Sequence, residues 1–420
     1  MKRAVVAAGA FALSAVGLYG ANVSGLTPQE VSKWWIVSGS LRSFYDDNMF
    51  NSPSGFEESC FGLQFHPGVS INLPLTRTLI SGSYDWTMDF YEARVANKID
   101  QTHLFDGRLN HKFSERYELD MTDRFAVSDE PIVFTGGAQN VFRRGDASNV
   151  RNELAVDLSA LMRPAFGWLG GYKSSLQDYQ SDSYSQYLDQ VSHTFHLDAR
   201  WFSSESTLLF AGYQISFTEY TFGKLFIGDD DVEGPDGFEL YADIKNNRSH
   251  YLYVGARREV SRQLDVSSKV GLQYTDYYNA RESSLSPYID INATYTYLPG
   301  STLQVGANVQ RYPADVTAVS GDVTLDQLTG SAFVAVSHKI TSRITGNLDL
   351  RYQRSIFNGG PDDGSSDDFY SMSMSADYKI REHLFANAAY VRSQLVSGRD
   401  FSEFLNFSRN LVYLGVRATY

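Results

Sequence analysis

Long runs of two-residue alternation extend from Trp34 to the end of the chain, and no other feature constrains the fold as tightly. In residues 80–90, Ile80, Gly82, Tyr84, Trp86, Met88 and Phe90 fall on one face, with Ser81, Ser83, Asp85, Thr87 and Asp89 on the other. Residues 285–297 set Leu285, Ile289, Ile291, Ala293, Tyr295 and Tyr297 against Asp290, Asn292, Thr294 and Thr296. Residues 344–353 set Ile344, Leu348, Leu350 and Tyr352 against Thr345, Asn347, Asp349, Arg351 and Gln353. A period of two means a β-strand between two different environments, because helical spacing would scatter these apolar residues around a cylinder. Strands of soluble sandwiches run about 5–6 residues, and the runs here are roughly twice that. At ~3.3 Å per residue and ~45° tilt, runs of about 10–13 residues project about 23–30 Å, the apolar depth of a bilayer.

The connections fall into two classes that alternate. Short turns are expected near 74–77, 114–116, 162–165, 203–206, 261–263, 298–301, 340–343 and 381–383. Longer polar loops are expected near 46–58, 92–101, 127–148, 178–188, 222–247, 278–284, 314–326, 357–368 and 398–406. Eight short and nine long connections join about eighteen strands and leave both ends on one side. Outer-membrane barrels sort their connections in this way, with short turns in the periplasm and longer loops outside. The expected fold is therefore all-β: a transmembrane antiparallel up-and-down β-barrel over residues 34–420. Abundant Tyr and Phe (27 each) and only 11 Pro suit a sheet. Residues 1–21 read as a signal peptide, with Lys2 and Arg3 ahead of an uncharged, Ala-rich segment, and residues 22–33 as a short periplasmic lead. Export to the outer membrane of a Gram-negative cell follows from that pair of features.

Charge and cysteine usage narrow the chemistry. The net charge is −13, with no basic cluster, which argues against nucleic acid as a partner. A lone cysteine, Cys60, cannot form an internal disulfide, and no Cys/His cluster suggests zinc. No phosphate-binding or dinucleotide fingerprint is present, and no cofactor is expected. The eight histidines are scattered, and no paired-carboxylate or nucleophile motif stands out, so the chain does not read as an enzyme.

If the apolar face meets lipid, the other face lines a lumen. The pore-lining candidates are Asp85, Asp106, Arg108, Lys112, Asp120, Arg124, Asp198, Arg200, Lys269, Asp290, Asp349, Arg351, Asp377 and Arg417. Both signs occur, so these charges can either bias an aqueous path or pair across strands and hydrate the wall. Tyr251, Tyr253, Tyr288 and Tyr413 also fall at lumen positions, where rings could stack on sugars or belong to an interfacial girdle. Acidic loops at 229–233 and at Asp362, Asp363, Asp367 and Asp368 lack the spacing of a calcium loop and read as solvated surface. The loop at 127–148, with Arg143 and Arg144, could fold inward as a constriction or meet lipopolysaccharide phosphates.

In the last strand Val412, Leu414, Val416, Ala418 and Tyr420 share one face. A terminal aromatic with alternating apolar residues resembles the signal read by barrel-assembly machinery, which makes Leu414, Val416 and Tyr420 the expected assembly signal. Residues 34–126 resemble the β-barrel porins found near exopolysaccharide and sorting loci in Gram-negative bacteria. The resemblance is carried by Tyr45-Asp46-Asp47-Asn48, Pro67-Gly68-Val69-Ser70-Ile71, Ser83-Tyr84-Asp85 with Tyr91, and Leu109-Asn110-His111-Lys112-Phe113-Ser114-Glu115-Arg116. It implies an outer-membrane barrel with a porin role, and brings no catalytic residues. The partners expected are the lipid bilayer and lipopolysaccharide, the assembly machinery, and small polar solutes or polysaccharide. The expected function is a porin-like channel for such solutes, and the alternative is a plugged accessory barrel for exopolysaccharide export.

Overall fold

The computed structural model describes residues 34–130, 148–181, 185, 188–221, 242–314, 324–399 and 402–420. The expected signal segment, the lead at 22–33, the acidic run at 229–233 and most of the loop with Arg143 and Arg144 lie outside the described residues. The first six strands are β1 (Trp35–Asp46), β2 (Cys60–Pro74), β3 (Thr78–Tyr91), β4 (Ile99–Lys112), β5 (Tyr117–Ser128) and β6 (Asn149–Arg163). The next six are β7 (Phe166–Tyr179), β8 (Gln190–Ser204), β9 (Thr207–Tyr220), β10 (Asn247–Ser261), β11 (Leu264–Tyr277) and β12 (Glu282–Leu298). The chain closes with β13 (Ser301–Pro313), β14 (Asp326–Lys339), β15 (Ile344–Asn358), β16 (Ser366–Arg381), β17 (Leu384–Ser397) and β18 (Phe407–Thr419). Every strand pairs antiparallel with its neighbours in sequence, and β1 pairs with β18, so the eighteen-stranded sheet closes on itself without a crossover. Closure leaves no edge, which a sheet in a medium without water requires.

The alternation decides which face is which. Leu252, Val254, Leu285 and Leu414 are 69%, 62%, 66% and 59% exposed on the outside, while Arg42, Gln64 and Gln273 are 5%, 2% and 2% exposed within. This is the reverse of a soluble core, and it matches a wall with hydrocarbon outside and polar groups inside. The outward face carries Trp168, Trp201, Tyr117, Tyr295 and Tyr420 near the short turns, where rings suit a membrane interface. The turns fall where the sequence places them, down to the tight turn between β12 and β13. There Pro299 precedes Gly300 at φ +79°, the left-handed position that a type II turn requires at its third residue.

One seam breaks the regular ladder. β12 pairs with β11 along its whole upper part, from Tyr277↔Glu282, but with β13 only from Ile289↔Val309 downward. The upper end of β13 stays paired to β14, from Gln310↔Thr329 to Pro313↔Asp326. It therefore leaves the wall without leaving the sheet.

Candidate functional site

The inner faces enclose a cavity of about 1270 Å³ lined by residues of every strand from β1 to β15. Nine of the residues expected to line a pore line it: Asp106, Arg108, Asp120, Arg124, Asp198, Arg200, Lys269, Asp290 and Arg351. Asp85, Lys112, Asp349, Asp377 and Arg417 share the inward register of their strands but lie outside this cavity.

From β4 to β8 the charges meet as cross-strand pairs. Arg124 contacts Asp106 at 2.6 Å, Arg108 contacts Asp120 at 2.7 Å, and Lys173 contacts Glu153 at 3.2 Å. Lys112 reaches Glu118 at 4.0 Å, and His196 reaches Asp157 at 3.2 Å. Asp106↔Arg124 and Asp120↔Asn110 are directly opposed in the β4–β5 ladder, so the pairing follows from register. The Arg124 and Asp106 side chains remain 34% and 35% exposed, which leaves their hydrogen-bonding edges open to the lumen.

The wall from β9 to β12 is built differently. Phe210, Tyr251, Tyr253 and Tyr288 form a packed cluster, each less than 9% exposed. Tyr251 and Tyr288 meet edge-on at 5.1 Å between centroids, and the Tyr253 hydroxyl donates to Asp198 at 2.6 Å. Glycine makes this possible. A Cβ at Gly212 would lie 2.5 Å from the Tyr253 ring, and one at Gly255 would lie 2.2 Å from Phe210. Each ring thus lies flat across a neighbouring strand. Lys269 stands over Tyr253, 4.5 Å from the ring centre, and faces Asp290 across the ladder. These tyrosines are at the lumen positions read from the sequence, but their faces are spent on each other. All four rings of the cluster line the cavity, but at 3–8% exposure they offer a sugar little ring face. Tyr413 is likewise covered, by Arg42 at 5.1 Å.

Above this cluster the freed end of β13 turns inward. Gln273 of β11, whose neighbour in the wall is β12, accepts from the Arg311 N–H at 2.9 Å and donates to the Arg311 carbonyl at 3.2 Å. One amide side chain supplies both the donor and the acceptor that a paired strand would have given. Lys245, 1% exposed, donates to the Ala314 carbonyl at 2.8 Å and sits over the Tyr220 ring. Arg311 and the Tyr277 hydroxyl both contact Asp326. Gln310, Arg311, Tyr312 and Pro313 consequently form part of the cavity lining together with Arg151, Glu153 and Gln190 on β6 and β8. Among the described residues this segment narrows the lumen. The sequence gives no local signal for it, because the contact skips a strand.

A second inward packing closes the side near β1. Met49 and Phe50, in the connection after β1, pack on Phe44, Cys60, Tyr91 and Leu411. Asn48 bonds the Ser52 and Ser408 carbonyls, and Arg409 holds Asp46 with two nitrogens. The acidic residues near β16 have defined partners. Asp367 pairs with Arg399 at 2.9 Å, Asp368 accepts from Tyr352 at 2.7 Å, and Asp363 accepts from the Gly359 N–H. No group of three metal-ligating side chains occurs among the described residues.

The histidines are less scattered than their sequence positions suggest. His66 and His196 face inward, each with its Nε2 on an aspartate. His103, His193 and His250 face outward near the long-loop end, each sharing a hydrogen bond with a tyrosine hydroxyl: Tyr84 at 2.9 Å, Tyr172 at 2.8 Å and Tyr213 at 2.6 Å. In all three the imidazole lies two residues beyond the position directly opposite the tyrosine. His338 repeats the bond with Tyr297 near the short turns. Such pairs present an apolar body and a polar tip, which suits the band where hydrocarbon meets water. The missed signal was phase: each of these histidines falls on the apolar face of its strand.

At the other end Tyr420 exchanges two backbone bonds with Val37 and lies 5.6 Å from Trp35, at the rim on the outward face with Leu414 and Val416.

Residues 241–420 match the family model described as putative beta-barrel porin 2. The match covers the wall from β10 to β18, while the resemblance quoted from the sequence lies in residues 34–126. The chain is thus a closed eighteen-stranded barrel, the architecture of the Gram-negative outer membrane, whose second part is similar to that porin family. No curated protein matches the sequence. Among solved structures it is similar to the siderophore receptor PirA from Acinetobacter baumannii, with TM-score 0.43 and 9% identity over 91% of this chain and 80% of that one. It is also similar to OpdK from Pseudomonas aeruginosa, crystallised with vanillate, with TM-score 0.45 and 10% identity over 92% and 99%. OccAB3 from Acinetobacter baumannii gives TM-score 0.40 and 12% identity over 92% and 99%. These likenesses are loose and transfer no solute or activity.

Proposed function

We propose that the chain is a passive outer-membrane pore for small polar solutes, saccharides among them. The observation that carries this reading is the polar side of the cavity, where partly exposed ion pairs on β4 to β8 lie with Gln177, Gln190, Ser192, Thr194, Gln214 and Ser216. Paired charges hydrate a wall without a strong field of either sign, and hydroxyl and amide groups exchange hydrogen bonds with a polyol at small net cost. The long loops then face outward and the short turns face the periplasm. We place assembly of the barrel with the terminal strand, through Leu414, Val416 and Tyr420.

A second reading is a plugged accessory barrel for exopolysaccharide export. It is favoured by the inward end of β13 and by Met49 and Phe50, which occupy the lumen from two sides. Liposome swelling across a series from monosaccharide to tetrasaccharide separates the two. The pore reading expects swelling rates that fall steadily with solute size, together with single-channel steps in a planar bilayer. Liposomes that neither swell nor conduct, while holding folded, heat-modifiable protein, would overturn it in favour of the plugged barrel.

A further inference from the structure

The outer wall carries a groove of about 430 Å³ that runs across β14 to β17. Its outward-register lining is apolar and aromatic: Val334, Leu350, Met372, Tyr352 and Tyr370, with Arg392 and Gln394 at one side. Arg392 is directly opposite Met372 in the ladder, and Gln394 is opposite Tyr370. Tyr390, which precedes Arg392 on the same face, is occupied with Asn410, and Asn410 with Asp47.

Three arginines hold outward positions near the long-loop end. Arg248 is paired with Asp276 at 3.3 Å, and Arg354 with Asp368 at 3.8 Å. Arg392 is exposed and has no hydrogen bond or ion pair among the described residues. Asp368, on the neighbouring strand β16, is already held by Tyr352 and Arg354, and Asp47 by Asn410 on the other side. The position of Arg392 is as informative as its lack of a partner. It lies nine residues above the turn at His383, which at ~3.3 Å per residue and ~45° tilt is about 20 Å. In an apolar band of ~25 Å that height is just below the outer interface, so the guanidinium can reach the headgroup layer while its stem stays in the groove.

We propose that this groove is a binding site for a phosphorylated glycolipid of the outer leaflet. One acyl chain lies along Val334, Leu350 and Met372. The phosphate takes the Arg392 guanidinium, and Gln394 hydrogen-bonds the adjoining sugar. An arginine suits this role because its planar fork binds two phosphate oxygens at once and remains charged in a poorly hydrated setting. The tyrosines flanking it carry polar tips at the depth where a glucosamine headgroup begins. The proposal rests on the reading of the chain as an outer-membrane barrel, and does not depend on whether the lumen conducts.

The test uses the full barrel refolded in detergent, with lipid retention measured by native mass spectrometry. The probes are diphosphoryl lipid A, its dephosphorylated form, and phosphatidylglycerol. Each variant is first shown to be folded by heat-modifiable migration. Failure of that control would count against the barrel reading, whereas failure of lipid retention in folded protein counts against the site alone. Wild-type protein is expected to retain lipid A at least ten-fold better than either other lipid. Arg392→Gln should reduce retention about ten-fold to the dephosphorylated level, Arg392→Lys should restore part of it, and Arg354→Gln should stay within two-fold of wild type. Equal retention of lipid A by wild type and Arg392→Gln would overturn the site. Equal retention of phosphatidylglycerol and lipid A would overturn the glycolipid assignment.

Discussion

The wall from β4 to β8 and the wall from β9 to β13 use the same ladder and the same alternation, yet present opposite interiors. The first is a layer of cross-strand ion pairs, partly exposed to the lumen. The second is a buried cluster of four aromatic side chains crossed by the inward end of β13. Residue type at the inward positions decides between them, and glycine decides how closely the second kind can pack. An ion pair in a hydrated lumen contributes little to stability and sets the field that a solute meets. A buried aromatic cluster contributes packing energy and offers a solute almost nothing. One side of the barrel therefore lines the lumen with partly exposed polar groups, and the other packs beneath the inward end of β13.

The largest expected effect lies on the aromatic side. Tyr253→Ala removes a ring from the cluster and takes the hydroxyl from Asp198, so unfolding from vesicles should shift by about 3–5 kcal/mol. If the shift is under about 1 kcal/mol, the cluster is not a scaffold and the contrast fails. Next in size is a test of phase on the paired strands β10 and β9. Val254→Arg puts a guanidinium near the midplane, costing about 2–4 kcal/mol, whereas Gln214→Arg puts it in the aqueous lumen. Folded yield in lipid vesicles should fall for the first and hold for the second. Equal yields would show that inside and outside have been confused.

Gln273→Leu keeps the volume and deletes both bonds to the Arg311 backbone. The loss, about 1–3 kcal/mol for stranded backbone groups, falls on the end of β13 and leaves most of the wall alone. Single-channel recordings should show larger or noisier openings with little change in global stability. Unchanged traces would mean that Lys245 and Asp326 hold the segment unaided. The smallest effect belongs to the ionic wall. Asp120→Asn leaves Arg108 without its ion partner and should move the cation/anion permeability ratio toward anions by less than about three-fold, with stability changed by under ~1 kcal/mol. The shift should fade at high salt, where screening shortens the reach of the charge. A large change in stability would make this wall a scaffold too.

The order of the strands, the sorting of short turns and long loops, and the assignment of faces were all legible in the sequence. Each depends only on neighbours along one strand or across one turn. The pairing of Asp106 with Arg124 was half legible: both inward positions could be read, but their opposition needed the β4–β5 register. The cluster around Tyr253 was legible as a set of lumen positions, but not the packing of its rings on one another. Whether a ring is presented or buried depends on Gly212 and Gly255 on adjacent strands. His103, His193 and His250 carried a readable signal in their apolar-face phase, and only the diagonal tyrosine in the next strand makes that phase chemically sensible.

By itself the sequence determined a closed barrel with apolar residues outside and polar residues within, because long strands of that alternation pair every backbone group in an apolar medium only by closing on themselves. The tertiary structure alone decided which lumen charges meet, which tyrosines are hidden, and that β13 leaves the wall where Gln273 replaces a missing ladder. Those outcomes depend on contacts between side chains brought together by register and closure, and a pattern with a period of two carries no information about either.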